Sequence, residues 1–225
     1  MHVDLAAQPA YAIAYIRLAA NEEVEVERGA MVAMSAAVEV STTTGGGVAR
    51  AAMRKMVGQE NFFLARYRSR VDGGWVAVAP RFPGDIVTVD IQPGADLLVQ
   101  TGAFLAHSAG IETDMRFGGL GSVAQREGAA LIHASGDGQM LLCSYGGIQR
   151  FDLGGEKLIV DTGHLLAFSA GMAMRIGPLS SILTSQLSGE GLVAEITGPG
   201  VVYIQTRAEQ ALRSWLMPER EQNTK

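Results

Sequence analysis

The chain is poor in cysteine and aromatic residues and has no long apolar run. Cys143 is the single cysteine among 225 residues, which excludes an internal disulfide and fits a reducing compartment. No segment approaches the ~18 consecutive apolar residues of a membrane-spanning helix. The first residues also lack the charged and apolar regions of a signal peptide. We therefore expect a soluble, cytoplasmic protein.

An excess of basic charge is also missing, because 18 Lys and Arg residues face 23 Asp and Glu residues, for a net charge of -5. A nucleic-acid partner is therefore not expected. Hydrophobic residues make up 48% of the sequence, enough for a sizeable core. The 28 glycines separate short apolar runs. Many short strands joined by tight turns, and hence an all-β fold, are predicted.

The chain contains a threefold internal repeat. Segments 24–40, 97–113 and 158–174 align without a gap, and their apolar residues alternate with period two, as in strands. The repeated glycine predicts the turn of a hairpin. The repeated serine predicts close approach of backbones rather than a nucleophile, since no histidine or acid stands at a fixed spacing from it. Five positions are identical in all three segments: Val26, Val99 and Val160; Gly29, Gly102 and Gly163; Ala33, Ala106 and Ala167; Ser35, Ser108 and Ser169; Ala36, Ala109 and Ala170.

The repeat extends beyond these segments and divides the chain into units 11–82, 83–144 and 145–206. Each unit ends in two apolar runs separated by glycines, which predicts an antiparallel hairpin. We expect residues 1–207 to form one sandwich or barrel-like β body in which the three units are related by pseudo-threefold symmetry.

Two short amphipathic helices are predicted beside the strands. Residues 48–57 place Arg50, Arg54 and Lys55 largely off one apolar face, which fits a solvated surface or a peripheral membrane contact. Residues 208–217 form a second helix, expected to pack on the β body or on a neighbouring subunit. The polar tail 218–225 is expected to fray.

Catalytic, metal and cofactor motifs are absent, so we expect no enzyme activity, no catalytic residues and no bound cofactor. The pattern at 119–124 fits GxGxxA but lies in a β context and is interpreted as a glycine loop. A metal site could form only if the fold brought His107, His133 and His164 together, because their sequence spacing matches no metal motif. A metal-dependent enzyme is the least favoured alternative.

The segment 66–70 alternates basic residues with Tyr67 and Ser69. RNA could stack there, but charged residues also protect an edge strand from aggregation, and the edge-strand interpretation is favoured. The candidate interaction residues are Arg50, Arg54, Lys55, Arg66, Arg68 and Trp215.

Three further stretches carry a family resemblance: GQENFF at 58–63, GGEKLIVDTGHLLAF at 154–168 and GPGVVYIQTR at 198–207. They resemble the "altered inheritance of mitochondria" (mitochondrial biogenesis) family, and the likeness extends over about residues 11–207. The resemblance implies an all-β fold similar to the tryptophan RNA-binding attenuation protein. It brings no established catalytic residue, and mitochondrial relatives are linked to inner-membrane organisation. The first unit departs most from the pattern.

Together these features predict a non-enzymatic interaction or scaffold protein, linked to membrane or assembly organisation. Its expected partners are proteins, including further copies of itself, with peripheral membrane contact left open. The alternative is a module that binds RNA or a small molecule in a cleft between units. Fold analogy alone motivates that alternative.

Overall fold

The structure is a computed structural model that describes residues 1–43, 64–117, 130–178 and 192–217. Strands dominate these residues, as the glycine-punctuated apolar runs predict, and the fold is all-β. One short 3₁₀ turn, Thr101–Ala103, and one helix accompany the strands. In chain order the strands are β1 (His2–Ala6), β2 (Ile13–Leu18), β3 (Glu23–Glu27), β4 (Met31–Met34), β5 (Val38–Thr43), β6 (Leu64–Ser69), β7 (Gly74–Val78), β8 (Ile86–Ile91), β9 (Leu97–Gln100), β10 (Phe104–Ser108), β11 (Ile111–Phe117), β12 (Ala130–Gly136), β13 (Gly138–Cys143), β14 (Ile148–Asp161), β15 (Leu165–Ser169), β16 (Ala173–Pro178) and β17 (Leu192–Gln205).

The described strands form three antiparallel sheets. The first has the order β1-β2-β7-β4, and the second has the order β5-β6-β3-β10-β13-β8. The third has the order β11-β12-β9-β15-β17-β14, with β16 also pairing with β17. The second sheet joins strands of the first unit to strands of the second, and the third sheet joins the second unit to the third.

The same pairing order recurs in the three sequence units. In the first unit β7 lies between β2 and β4, while β6 lies between β3 and β5. In the second unit β13 and β12 hold the corresponding places. In the third unit the single long strand β17 holds both. A threefold axis relating the units, and likeness to the tryptophan RNA-binding attenuation protein, stay predictions.

The hairpin predicted at the repeated glycine is wrong. Gly29 does form a turn, with a φ of 90° that favours glycine. However, β3 and β4 on either side of it belong to different sheets, and so do β9 and β10 around Gly102. At Gly29 and Gly102 the turn therefore carries the chain from one sheet to another, while at Gly163 the flanking strands β14 and β15 share the third sheet and both pair with β17. The strands after the second and third of these glycines, β10 and β15, are apolar on both faces and buried between layers, whereas β4 after Gly29 is exposed.

The hairpin predicted at the end of each unit is also wrong. β6 and β7 lie in different sheets, as do β12 and β13. In the third unit no turn forms, and β17 runs without interruption through Gly198 and Gly200, whose φ values are 126° and 151°. Glycine-rich sequence thus marks a sheet-to-sheet corner in two units and a bend within one strand in the third.

Three hydrophobic clusters fill the space between the sheets. The first gathers mainly first-unit residues, the second mainly second-unit residues and the third mainly third-unit residues. Several residues cross this division, and among them Leu105 of β10 belongs to the first cluster and Leu166 of β15 belongs to the second. Each of these side chains enters the core of the unit before its own.

The C-terminal helix α1 spans Glu209–Leu216, close to the predicted range. The predicted helix 48–57 and the tail 218–225 lie outside the described residues, as does the glycine loop at 119–124. Among the residues that are described, no helix is long and apolar enough to cross a membrane.

Candidate interaction surfaces

The repeated serines have a structural role. The hydroxyl oxygen of each serine accepts a hydrogen bond from a backbone N–H of β7, β13 or β17. Trp75 donates to Ser35 at 3.1 Å, Gln139 donates to Ser108 at 3.0 Å and Val201 donates to Ser169 at 3.0 Å. A serine hydroxyl used as an acceptor at the same point of three units fixes a corner of each one. This supports a packing role rather than nucleophilic chemistry for these residues.

Glycines beside these serines leave no space for a side chain. A β-carbon at Gly138 would overlap the Oγ of Ser108. A β-carbon at Gly200 would lie 2.8 Å from the Oγ of Ser169. The small residues of the repeat therefore permit the close backbone approach that the sequence predicts.

A contact between an acidic side chain and a basic or histidine side chain lies at corresponding positions of the three units, across neighbouring strands. The chemical identity changes from unit to unit and the charges are reversed in the third. The pairs are Arg66–Glu23 at 3.6 Å, His133–Asp96 at 3.0 Å and Lys157–Glu195 at 2.9 Å. These side chains lie on the sheet surface, and each has its partner within its own unit.

Arg66 and Arg68, two candidate interaction residues, lie on β6. That strand runs between β5 and β3, so the edge-strand interpretation of segment 66–70 is wrong. Arg66 donates to Glu25 at 2.6 Å, and Arg68 donates to the side-chain oxygen of Asn21 at 2.9 Å. Burial of Tyr67 on the opposite face explains the alternation, because one face of the strand meets solvent and the other meets the core.

The three histidines of the metal alternative differ in their hydrogen-bond partners. His107 is buried, and burial lowers its pKa, so that the ring is neutral. Its Nδ1 faces the carbonyl oxygen of Ser108 at 2.8 Å, while Nδ1 of His164 faces that of Gln205 at 2.7 Å. No group of three or more His, Cys, Asp or Glu residues suited to a metal occurs within the four described ranges.

Burial raises the pKa values of Glu27 and Cys143 strongly. Burial raises the pKa of the Glu27 carboxyl to about 7, against a lowering by the charge of Arg81. Burial, assisted by the Glu27 carboxylate, raises the pKa of the Cys143 thiol to about 12. A thiol in that state is a poor nucleophile. The sulfur faces the carbonyl oxygens of Gly102 at 3.7 Å and Phe104 at 3.9 Å.

A surface depression of about 540 Å³ lies between the second and third units. Asp96, Arg116 and His133 come from the second unit, and Ser169 and Pro199 come from the third. Another depression, of about 480 Å³, lies over β3, β5 and β6 and is lined by the ion pairs of that face.

The outer edge of β4 is exposed where corresponding strands are covered. Val32 is 57% exposed, whereas Leu105 on β10 is 0% exposed and Leu166 on β15 is 3% exposed. Met31 is likewise 41% exposed, while Phe104 at the same position of the second unit is fully buried. An apolar edge strand of this kind is a surface on which another strand can pair.

Helix α1 presents a second exposed apolar surface. Its predicted apolar face includes Leu212, which is half-buried, but Trp215 is 77% exposed and Leu216 is 61% exposed. No residue of the helix is buried. The expected packing on the β body is therefore confined to the start of the helix, and Trp215 is left free to make contacts. Arg50, Arg54 and Lys55 lie outside the described residues.

The sequence prediction missed the β4 edge as a surface. A signal for it exists, because β4 belongs to the first unit and each later unit covers its corresponding strand with the unit before it. Among the described residues no other unit covers β4, so the edge of this strand is left open. The sequence alone could not show this, because the predicted hairpin would have paired β4 with β3.

Two of the known proteins that this chain resembles come from Streptococcus pyogenes. An uncharacterised protein of its serotype M6 is 29% identical over 155 residues, which are 68% of this chain and 62% of that protein. The chain thus matches less than two thirds of the length of this relative. A crystal structure of another protein from this species superposes with a TM-score of 0.76 at 27% identity, covering 96% of this chain and 97% of that one.

A family model provides the assignment. It describes proteins of mitochondrial biogenesis. Its match runs over residues 4–207, from within β1 to just before α1. The resemblance seen in the three sequence stretches is thereby confirmed. The chain belongs to the mitochondrial biogenesis AIM24 family.

Proposed function

We propose that the protein is a non-enzymatic interaction protein that acts in the cytoplasm as part of a protein assembly. The observation that carries this proposal is α1, whose Trp215 and Leu216 are 77% and 61% exposed beside the β body. A tryptophan of this exposure on a short helix can anchor in an apolar groove of a partner, since aromatic residues contribute strongly to interfaces. The helix is exposed rather than packed against the β body, as is expected of a segment that binds a partner protein.

A protein groove fits α1 better than a membrane surface does. Helices that lie on membranes carry many Lys and Arg residues on the polar face. In α1 the polar face holds Arg213, which donates to Glu209 at 2.6 Å four residues earlier, so the pair is neutral overall. Little electrostatic attraction to anionic lipid remains.

Several of the described groups that could perform chemistry already have structural partners, which supports a non-enzymatic role. Ser108 and its counterparts accept backbone hydrogen bonds, and the Cys143 thiol has its pKa raised to about 12 by burial. His133 faces Asp96 at 3.0 Å on the sheet surface.

The test is affinity purification at native expression level of the wild-type chain and of a Trp215→Ala/Leu216→Ala variant. A Gln210→Ala/Ser214→Ala variant, altered on exposed polar positions of the same helix, is the control. The proposal expects a defined set of proteins that the control retains and the apolar variant loses. Equal capture by all three forms, or flotation of the wild type with neutral and anionic liposomes, would contradict it.

A second candidate function is the binding of a small molecule in a cleft between units, which is part of the alternative that the sequence analysis leaves open. The depression shared by Arg116 and His133 of the second unit with Ser169 of the third favours it. A cation at this place suits an anionic small molecule. Calorimetric titration with inorganic phosphate and small carboxylates tests it, and an Arg116→Ala variant should lose any heat of binding.

A further inference from the structure

Two strand pairings join consecutive units, and they have the same register. β10 of the second unit pairs antiparallel with β3 of the first, with Ala106 opposite Val26. β15 of the third unit pairs antiparallel with β9 of the second, with Ala167 opposite Val99. In both junctions the repeated alanine of one unit thus lies opposite the repeated valine of the unit before it.

One alanine and one valine of the repeat are left over. Ala33 lies on β4, and Val160 lies in the Lys157–Asp161 part of β14. Each strand is paired on one side only, β4 with β7 and this part of β14 with β17. Among the described residues, the outer edges of both strands lack a strand partner. The described strands therefore leave two open edges. These two edges correspond to the two strands that pair with each other where consecutive units meet.

Side-chain burial shows what each junction does to the core. Leu105 and Leu166 follow the same rule: each is buried in the hydrophobic cluster of the preceding unit. Val32 is the corresponding residue of β4 and is 57% exposed. The third cluster, which includes Val160, contains no residue of β4 among the described residues. Val32 is thus an apolar side chain without the core that its counterparts enter.

We propose that β4 of one copy pairs antiparallel with Lys157–Asp161 of a second copy, with Ala33 opposite Val160. The same register places Met34 opposite Ile159, and Val32 enters the third-unit core of the second copy. The contact is head-to-tail, so copies add until the rotation closes a ring or a filament forms. This inference rests on the proposed role in assemblies but uses a surface separate from α1.

Charges at the end of the junction are complementary. In the junction between the second and third units, the side-chain amide of Gln100 donates to the carbonyl oxygen of Thr162 at 3.2 Å. The corresponding residues at the proposed contact are Asp161 of one copy and Arg28 of the other. Asp161 thus places a carboxylate where Gln100 places an amide, and Arg28 adds a guanidinium at the residue that corresponds to Thr162, so that opposite charges favour this register.

Disulfide trapping tests the register directly. Met34→Cys and Ile159→Cys are made as separate variants, mixed and oxidised mildly, since facing residues of paired strands come close enough to bridge. A disulfide-linked dimer is expected in the mixture and not in either variant alone. The native Cys143 is 4% exposed and does not interfere. Cross-linking of Met34→Cys with itself would mean a two-fold contact between β4 strands and would overturn the proposal.

The double variant Met34→Cys/Ile159→Cys separates a second copy from closure within one chain. Linked species heavier than the 23.8 kDa chain are expected on a denaturing gel. A chain that is quantitatively oxidised yet monomeric would show that β4 closes on its own third unit, and the proposal would fail.

Light scattering after size exclusion supplies the matched control. Val32→Lys should lose the assembly, because an ammonium group cannot enter the partner core. Val40→Lys changes a valine of 52% exposure on another edge strand, β5, and should keep it. Assembly retained by both variants, or a wild type that is monomeric at every concentration, would refute the contact. The changes Trp215→Ala and Leu216→Ala, added to the two cysteine variants, should leave their cross-linking unchanged. Failure of this test therefore leaves the proposal about α1 standing, and the reverse also holds.

Discussion

The backbone N–H of Gln139 donates to the hydroxyl oxygen of Ser108 at 3.0 Å, at the corner where the chain passes between the second and third sheets. Gly138, just before the donor, has no room for a β-carbon because the Oγ of Ser108 occupies that space. Hydrogen bond and close approach therefore depend on each other. The same arrangement at Ser169 and Val201 indicates a requirement of the corner rather than a local accident.

Replacing Ser108 with alanine removes the acceptor and leaves the Gln139 N–H without its partner. A net loss of about 1–2 kcal/mol in the free energy of unfolding is expected. Urea unfolding followed by circular dichroism measures it. Ser41→Ala, a change at an exposed serine of β5, should alter the free energy by less than about 0.5 kcal/mol. Equal effects of the two substitutions would contradict the role assigned to Ser108.

A double-mutant cycle tests the steric half of the same corner. Gly138→Ala alone should destabilise strongly, since the new methyl group displaces the Ser108 hydroxyl. In the Ser108→Ala background the methyl group meets no hydroxyl, so the same substitution should cost less. A coupling energy of about 1 kcal/mol or more is expected, as for residues in contact. Additive effects would show that the two residues do not compete for space.

Strand content and the packing role of the small residues could be predicted from the sequence, because both follow from local periodicity and size. The partner of each strand could not. Gly29 permits a turn, but a turn can return a strand to its neighbour or deliver it to another sheet. The outcome depends on which layers cover β4, β10 and β15, and a local pattern does not contain that information.

The interaction surfaces show the same limit. Alternation around Arg66 and Arg68 indicates a strand with one wet face, but it is equally compatible with an edge strand and with the interior position found. Helix α1 was predicted nearly to its ends, whereas its exposure depends on how little of the β body reaches it. Trp215 was a candidate because it lies on that helix, and the structure leaves it 77% exposed.

Glu27 predicts a pH dependence of stability. Its pKa is raised from a usual 4.5 to about 7 by burial, so the folded state holds a proton that the unfolded state has released between these values. Stability therefore falls as pH rises through this window, and the penalty is complete above about pH 7. Glu27→Gln removes it and should stabilise the protein at pH 8.5 but have little effect at pH 4.5. After allowance for partial solvent screening, the difference should be about 1–2 kcal/mol.

Urea unfolding of wild type and variant at the two pH values measures this dependence. Glu112→Gln, at an exposed glutamate of β11, is the control and should change stability equally at both values. A Glu27→Gln effect that does not vary with pH would show that the carboxyl is already ionised throughout the range.

Cys143 should report on unfolding rather than on surface chemistry. The side chain is 4% exposed, and burial raises the pKa of its thiol to about 12, so almost no thiolate exists at pH 8. Labelling by a disulfide reagent at pH 8 should therefore proceed at the rate of opening of the native state and accelerate in urea. A Ser41→Cys variant provides an exposed thiol that should react at once. Immediate reaction of two thiols in that variant would contradict the buried placement.

The two tryptophans differ in environment, and fluorescence quenching can compare them. Trp75 is half-buried with its ring centroid 6.1 Å from that of Tyr15, whereas Trp215 is 77% exposed. A Trp75→Phe variant retains only Trp215 and should be quenched readily by iodide, while Trp215→Phe retains only Trp75 and should resist. Because iodide reaches only solvent-exposed rings, the ratio of quenching constants measures whether α1 stands away from the β body. Equal protection of both rings would mean that the helix docks in solution, and the contact proposed for it would then have to form after release from the body.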